Sequence, residues 1–183
     1  MINSVSKILA ALLAVLLLYL VPAVQHAKTQ EDITLLTSYH ALTEFVDSVR
    51  NKGYISPVMY EDFRTELGSS GGYFDVAMEH QHKKYHPEYD DPSDGSTFLN
   101  KYSVQYEGHY TEELEEVLFP DTPAEKDSKE RKYYLEMGDY FTVNIQRKDQ
   151  SPLNTFTSML YDSASGEQDS PLHYGGMVLN EDY

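Results

Sequence analysis

The chain has 183 residues, enough for one domain with attachments. Its 30 acidic residues against 14 basic ones leave a formal charge of -16. Such a surface repels phosphate backbones and excludes nucleic acid as an expected partner. With no Cys, disulfides, thiolate metal sites and a Cys nucleophile are ruled out.

The first element is apolar. From Ile8 to Val24 the sequence reads ILAALLAVLLLYLVPAV without a charge, near the lower limit of about 17–25 residues for a bilayer-spanning helix. Lys7 precedes the run and an acidic chain follows it. The positive-inside rule therefore expects a single-pass protein with a cytoplasmic N-terminus and an extracytoplasmic C-terminal domain. Two readings of the segment stay open. A retained anchor makes residues 1–27 a transmembrane segment and 28–183 an extracytoplasmic domain. A cleaved signal peptide, with Val21-Pro22-Ala23 as a passable site, makes the same domain a secreted module. Ala10 and Ala14 lie one helical turn apart, with Ala11 beside them. Small side chains at that spacing let helix backbones approach closely in lipid.

From Thr29 to Lys52 there is no Pro or Gly. Leu35, Tyr39, Leu42, Val46 and Val49 recur at helical spacing, with Ile33 and Phe45 widening the stripe. The pattern predicts one long helix from about Ser4 to Arg50, the stripe docking a head domain and serving neighbouring subunits. Gly53 is the expected C-cap, and Arg50 and Lys52 suit the negative helix end.

Ser56-Pro57 reads as N-cap and first residue of a second helix, with Met59, Phe63 and Leu67 on one face. GSSGG (68–72) ends it. Tyr73 to His82 alternates as a half-buried strand, with Phe74, Val76, Met78, His80 and His82 on one side. Residues 87–96 (PEYDDPSDGS) read as a turn-rich loop, and Tyr102, Val104 and Tyr106 as a second strand. Thr111 is the expected N-cap of a short helix opening with Glu112 and Glu113 and carrying Leu114, Val117 and Leu118 on its apolar face. Residues 120–132 form a charged, exposed connector. Tyr140 to Ile145 is a third strand with Phe141, Val143 and Ile145 inward. Ser151-Pro152 repeats the helix-start signal before Leu153, Phe156 and Leu160. After a Gly175-Gly176 break, Met177 to Leu179 is the expected last edge strand. A helix pair ahead of alternating strands gives an α+β fold, a small antiparallel sheet with short helices. The 16 Tyr against no Trp suit half-buried sheets and contact surfaces.

Chemistry-bearing constellations are few. His80, His82 and His86 are the metal candidates, since an H-x-H pair on a strand puts both imidazoles on one side. No carboxylate at a set spacing completes them, and the expectation is no metal site and no cofactor. Asp90, Asp91, Asp94 and Gly95 faintly resemble a calcium loop, but Pro92 and Lys101 stand where ligands belong. The Glu112-Glu113 and Glu115-Glu116 pairs are accounted for by helix capping. No G-x-S-x-G, S-x-x-K or phosphate-binding Gly loop occurs, so a non-enzymatic role is expected.

Two stretches carry a family resemblance. Residues 45–84 contain FVDSVRNKGYIS, MYEDFRTEL and GGYFDVAMEHQHK, and the C-terminal part contains GDYFTVNIQ (138–146) and YGGMV (174–178). They resemble TadE-like, tight-adherence pilus assembly proteins of Gram-positive bacteria. The resemblance implies a minor pilin or pseudopilin whose partners are other pilin-like or assembly-platform proteins. The chain has no Gly before Gly53 and its first Glu is Glu31, so the residues that mark prepilin-peptidase cleavage are missing. An accessory subunit that keeps its anchor is therefore expected. The reading from a different class is a secreted ligand- or metal-binding module using the His80 and His82 face.

Overall fold

The computed structural model describes residues 2–121, 125–149 and 170–181. The expected helix at Ser151-Pro152 lies outside them. The architecture is α+β, as the sequence pattern predicts. Helix α1 (Ile2–Lys52) runs unbroken for 51 residues with Pro22 inside it, about 77 Å at 1.5 Å per residue. It is long and apolar enough to cross a membrane. The charge-free run, good in helix formers, passes into the amphipathic stretch without a glycine, so nothing stops the helix before Gly53. There the chain turns left-handed at φ 72, and the Gly53 N–H donates to Val49 O at 2.8 Å.

Strand β1 (Tyr54–Ile55) leads into α2 (Pro57–Ser69). Ser56 caps α2 as expected, its side chain accepting from the Met59 N–H. Then follow β2 (Phe74–Tyr89), β3 (Phe98–Tyr110), α3 (Thr111–Leu118), β4 (Tyr133–Tyr134), β5 (Tyr140–Arg147) and β6 (Leu172–Met177). The main sheet has the order β3-β2-β5-β6 and is antiparallel throughout, while β1 and β4 form a two-stranded sheet of their own. The core lies where α1 covers β5 and β6, α3 packs against β2 and β3, and α2 packs on α1. Phe45 of α1 stacks on Phe63 of α2 at 4.5 Å and meets Phe141 of β5 edge-on at 6.1 Å. Phe141, Val143 and Ile145 are buried as their alternation predicts.

Three expectations need correction. Strand β2 runs through Pro87 to Tyr89, so the loop is shorter than 87–96. Pro87 is tolerated because β2 pairs with β5 only as far as Gln81, leaving that edge, among the described residues, without a partner strand to receive an N–H. Tyr110, not Thr111, is the N-cap of α3, and it makes no side-chain cap bond. Thr111 Oγ1 is committed instead to the Met78 backbone, accepting from its N–H at 2.7 Å.

The last strand is Leu172–Met177, so Gly175-Gly176 lies within it instead of interrupting it. Gly175 sits opposite Thr142 of β5. A Cβ there would come within 2.8 Å of the Phe141 carbonyl oxygen, whereas a Cβ on Gly95 meets nothing within 4 Å. Gly175→Ala is therefore expected to destabilise the head by about 1–3 kcal/mol through overpacking, and Gly95→Ala to change it little. Urea unfolding of the two variants checks this; equal midpoints contradict the close-approach argument.

Candidate functional site

Along β2 the even-numbered residues face the core. Val76, Met78 and His80 are buried and His82 is partly exposed, because the strand there leaves the cover of the helices. The turn that precedes β5 brings Asp139 beneath them. Gly138 takes φ 98, and the Asp139 N–H closes the turn on Glu136 O at 3.1 Å. Asp139 is 1% exposed and His80 4%.

The Asp139 carboxylate gathers four donors. Oδ1 accepts from the Lys83 N–H at 2.9 Å, and Oδ2 from the Glu136 N–H at 2.9 Å and from His80 Nε2 at 2.9 Å. His82 Nδ1 lies 3.1 Å from both oxygens. Burial pushes the Asp139 pKa up, but the Lys83 N–H, His80, His82 and the Glu136 N–H more than offset it and hold the carboxyl below its usual range. An ionised carboxylate only accepts, so His80 Nε2 carries the proton facing it, and Nδ1 accepts from the Tyr133 hydroxyl at 2.7 Å. Burial lowers the His80 pKa further than Asp139 raises it, so the imidazole is neutral. Burial together with the Glu113 and Asp139 charges raises that of Tyr133.

His86 does not join this cluster. It is exposed on the projecting β2–β3 ribbon, paired with Ser103. His109 does join its edge: it pairs with His80 across the strands, stacks on it at 5.6 Å and hydrogen-bonds Glu113 Oε2 at 2.6 Å. Asp139, Tyr133 and His109 are the members that spacing along the chain missed. Asp139 lies 57 residues beyond His82, and a Gly-Asp pair before a strand reads as an ordinary turn.

The acidic constellations are taken up in turn bonds, an imidazole contact and one bond between helices. Asp91 and Asp94 accept from the Ser93 and Ser96 N–H groups of their own turn. Glu113 holds His109, and Glu115 accepts from Tyr60 Oη at 2.7 Å.

Of the predicted stripe on α1, Leu42, Val46 and Val49 are buried, but Leu35 and Tyr39 are not, at 49% and 41% exposed. In their place Thr34 and Ser38 face the head. Thr34 Oγ1 donates to Ser70 O at 3.0 Å, and Ser38 Oγ bonds Ser70 Oγ at 3.0 Å. The contact of α1 with the end of α2 is thus polar, and an apolar-periodicity search passes over it. Leu35 lines a groove of about 320 Å³ with Phe74, Ile145 and Leu172, and Tyr39 meets Tyr174 edge-on at 6.3 Å. Ala10 and Ala14 are exposed on the projecting part of α1.

The outer side of the sheet is aromatic. Tyr85, Tyr102, Tyr106, Tyr110 and Tyr140 are all exposed there, while the other side of the ribbon carries polar groups such as the Lys84–Glu107 ion pair. Comparison of the chain with protein-family models, with curated proteins and with solved structures finds no match.

Proposed function

We propose that this chain is an anchored, non-enzymatic structural or accessory subunit of a pilus-like or secretion assembly, of the tight-adherence kind that residues 45–84 and 138–146 resemble. One observation carries the reading. Exposed apolar side chains on α1 do not end with the charge-free run: Ile33, Leu35, Leu36 and Tyr39 continue them beyond Glu31 and Asp32, with Leu36 67% exposed. Leu36 stands about 18 Å past Val24 along the helix axis, so the lipid that covers residues 8–24 does not reach it. A simple tether has no use for apolar groups at that height. A helix that packs against neighbouring helices does, since lateral association in such assemblies works by close packing within the bilayer and hydrophobic burial above it.

In this reading α1 assembles with other pilin-like helices through Ala10 and Ala14 in lipid and through Leu35, Leu36 and Tyr39 outside it. The head rides on Leu42, Val46 and Val49, and the Tyr-rich sheet face offers contacts to partners. The N-terminus is cytoplasmic and the head extracytoplasmic. The test is intact mass and fractionation of the native protein, with site-directed crosslinking. Full-length chain in the membrane fraction is expected, with crosslinks through α1 that weaken in Ala10→Ile/Ala14→Ile without release from the membrane. A soluble native chain beginning at Val24 or Lys28 overturns the reading in favour of the secreted binding module.

A further inference from the structure

The cluster under β2 brings two imidazoles and a carboxylate to one point. The ligand atoms of His80, His82 and Asp139 all lie within 4.8 Å of one another. Zinc bound at about 2.0–2.1 Å in a tetrahedron needs ligand atoms about 3.3 Å apart, and the two His–Asp separations are 2.9 Å and 3.1 Å.

Each of the two buried side chains is also oriented by a contact that survives metal binding. The Lys83 and Glu136 N–H groups hold Asp139 by one lone pair on each oxygen, leaving the others for a metal. Tyr133 Oη sits at the far nitrogen of His80, where metal-bound histidines keep a hydrogen-bond partner. His82, with 23% of its side chain exposed, faces the solvent side and gives an ion a way in.

We propose that His80 Nε2, His82 Nδ1 and the Asp139 carboxylate form a site for one divalent transition-metal ion, zinc by its ligand chemistry, with a fourth position for water. The donor set excludes calcium and magnesium, which take oxygen ligands almost alone. Binding replaces the His–Asp hydrogen bonds. The His80 proton moves from Nε2 to Nδ1, where the Tyr133 oxygen accepts it, the His82 proton moves from Nδ1 to the solvent-side Nε2, and neither neutral ring loses a proton. His86 is no ligand: four residues along an extended strand put it about 13 Å from His82. The metal would tie the root of the projecting β2–β3 ribbon to the turn before β5, fixing the ribbon's direction relative to the core. The inference stands apart from the assembly reading, because its residues are all in the head.

The experiment uses the full chain in detergent micelles, stripped with EDTA. Zinc titration by calorimetry is expected to give one ion per chain with submicromolar affinity. Cobalt(II) in place of zinc is expected to give the visible absorption of a tetrahedral nitrogen and oxygen site. His82→Ala and His82→Gln, at a partly exposed position, should weaken zinc by at least the roughly 10–100-fold that loss of an outer partner costs and abolish the cobalt bands, with circular dichroism unchanged; His86→Ala should bind as the parent does. No zinc binding by the stripped protein overturns the proposal. So does equal binding by the parent and a folded His82 variant.

Discussion

Val46→Asp is expected to unfold the head while leaving the apolar part of α1 helical. Val46 and its neighbour Leu42, one turn earlier, are fully buried, packed among Phe45, Phe63 and the inner side of β5. Substitution removes a buried aliphatic group, about 1.5–3 kcal/mol of transfer free energy. It also introduces a carboxyl that must either stay ionised without a partner or be protonated at neutral pH, for several kcal/mol more. The sum is on the order of 5 kcal/mol, comparable to the whole stability of an ordinary domain of about 5–15 kcal/mol. Leu42→Asp should act alike. Leu36→Asp, on the exposed side of the same helix, should stay within about 0.5 kcal/mol. Melting temperature and protease resistance of the three variants in micelles decide it: a Val46→Asp head as resistant as the parent would mean that this face of α1 does not hold the core.

The second large effect belongs to Asp139→Ala. Removing the carboxylate, itself buried, strands at once the Lys83 N–H and the His80 Nε2 proton on β2 and the Glu136 N–H of the turn before β5. An unsatisfied buried donor costs about 1–3 kcal/mol. His80 is neutral, so no uncompensated charge is left, and several stranded donors together make about 3–5 kcal/mol the expected size. The loss should be local in its first stage, with faster hydrogen exchange at the Lys83 and Glu136 amides and a loosened start of β5, before the global midpoint drops. Asp94→Ala, which breaks only an exposed turn, provides the comparison. Exchange at Lys83 unchanged in Asp139→Ala would show that another acceptor takes over and that Asp139 is not the hub of this turn.

Legibility followed the range of the interaction. The cap at Ser56-Pro57, the stop at Gly53 and the inward residues Phe141, Val143 and Ile145 were readable because each depends on neighbours a few residues away. The polar contact of Thr34 and Ser38 with Ser70 was not, since those bonds join positions 36 and 32 residues apart and hydroxyls carry no periodic apolar signal. Gly175-Gly176 read as a break because glycine usually marks one. In the sheet it answers the close approach of β5, which only the pairing reveals.

By itself the sequence determined a long apolar helix continuing into an amphipathic one, an α+β head, and the lack of cysteine chemistry. These rest on composition and on periods of 2 and 3.6 residues, which are properties of the chain alone. The tertiary structure decided which side of α1 is covered, that the projecting ribbon turns tyrosines outward, and that Asp139 meets His80 and His82. Those outcomes depend on how elements far apart in the chain are brought together, and a carboxylate 57 residues away carries no local trace of the imidazoles it will hold.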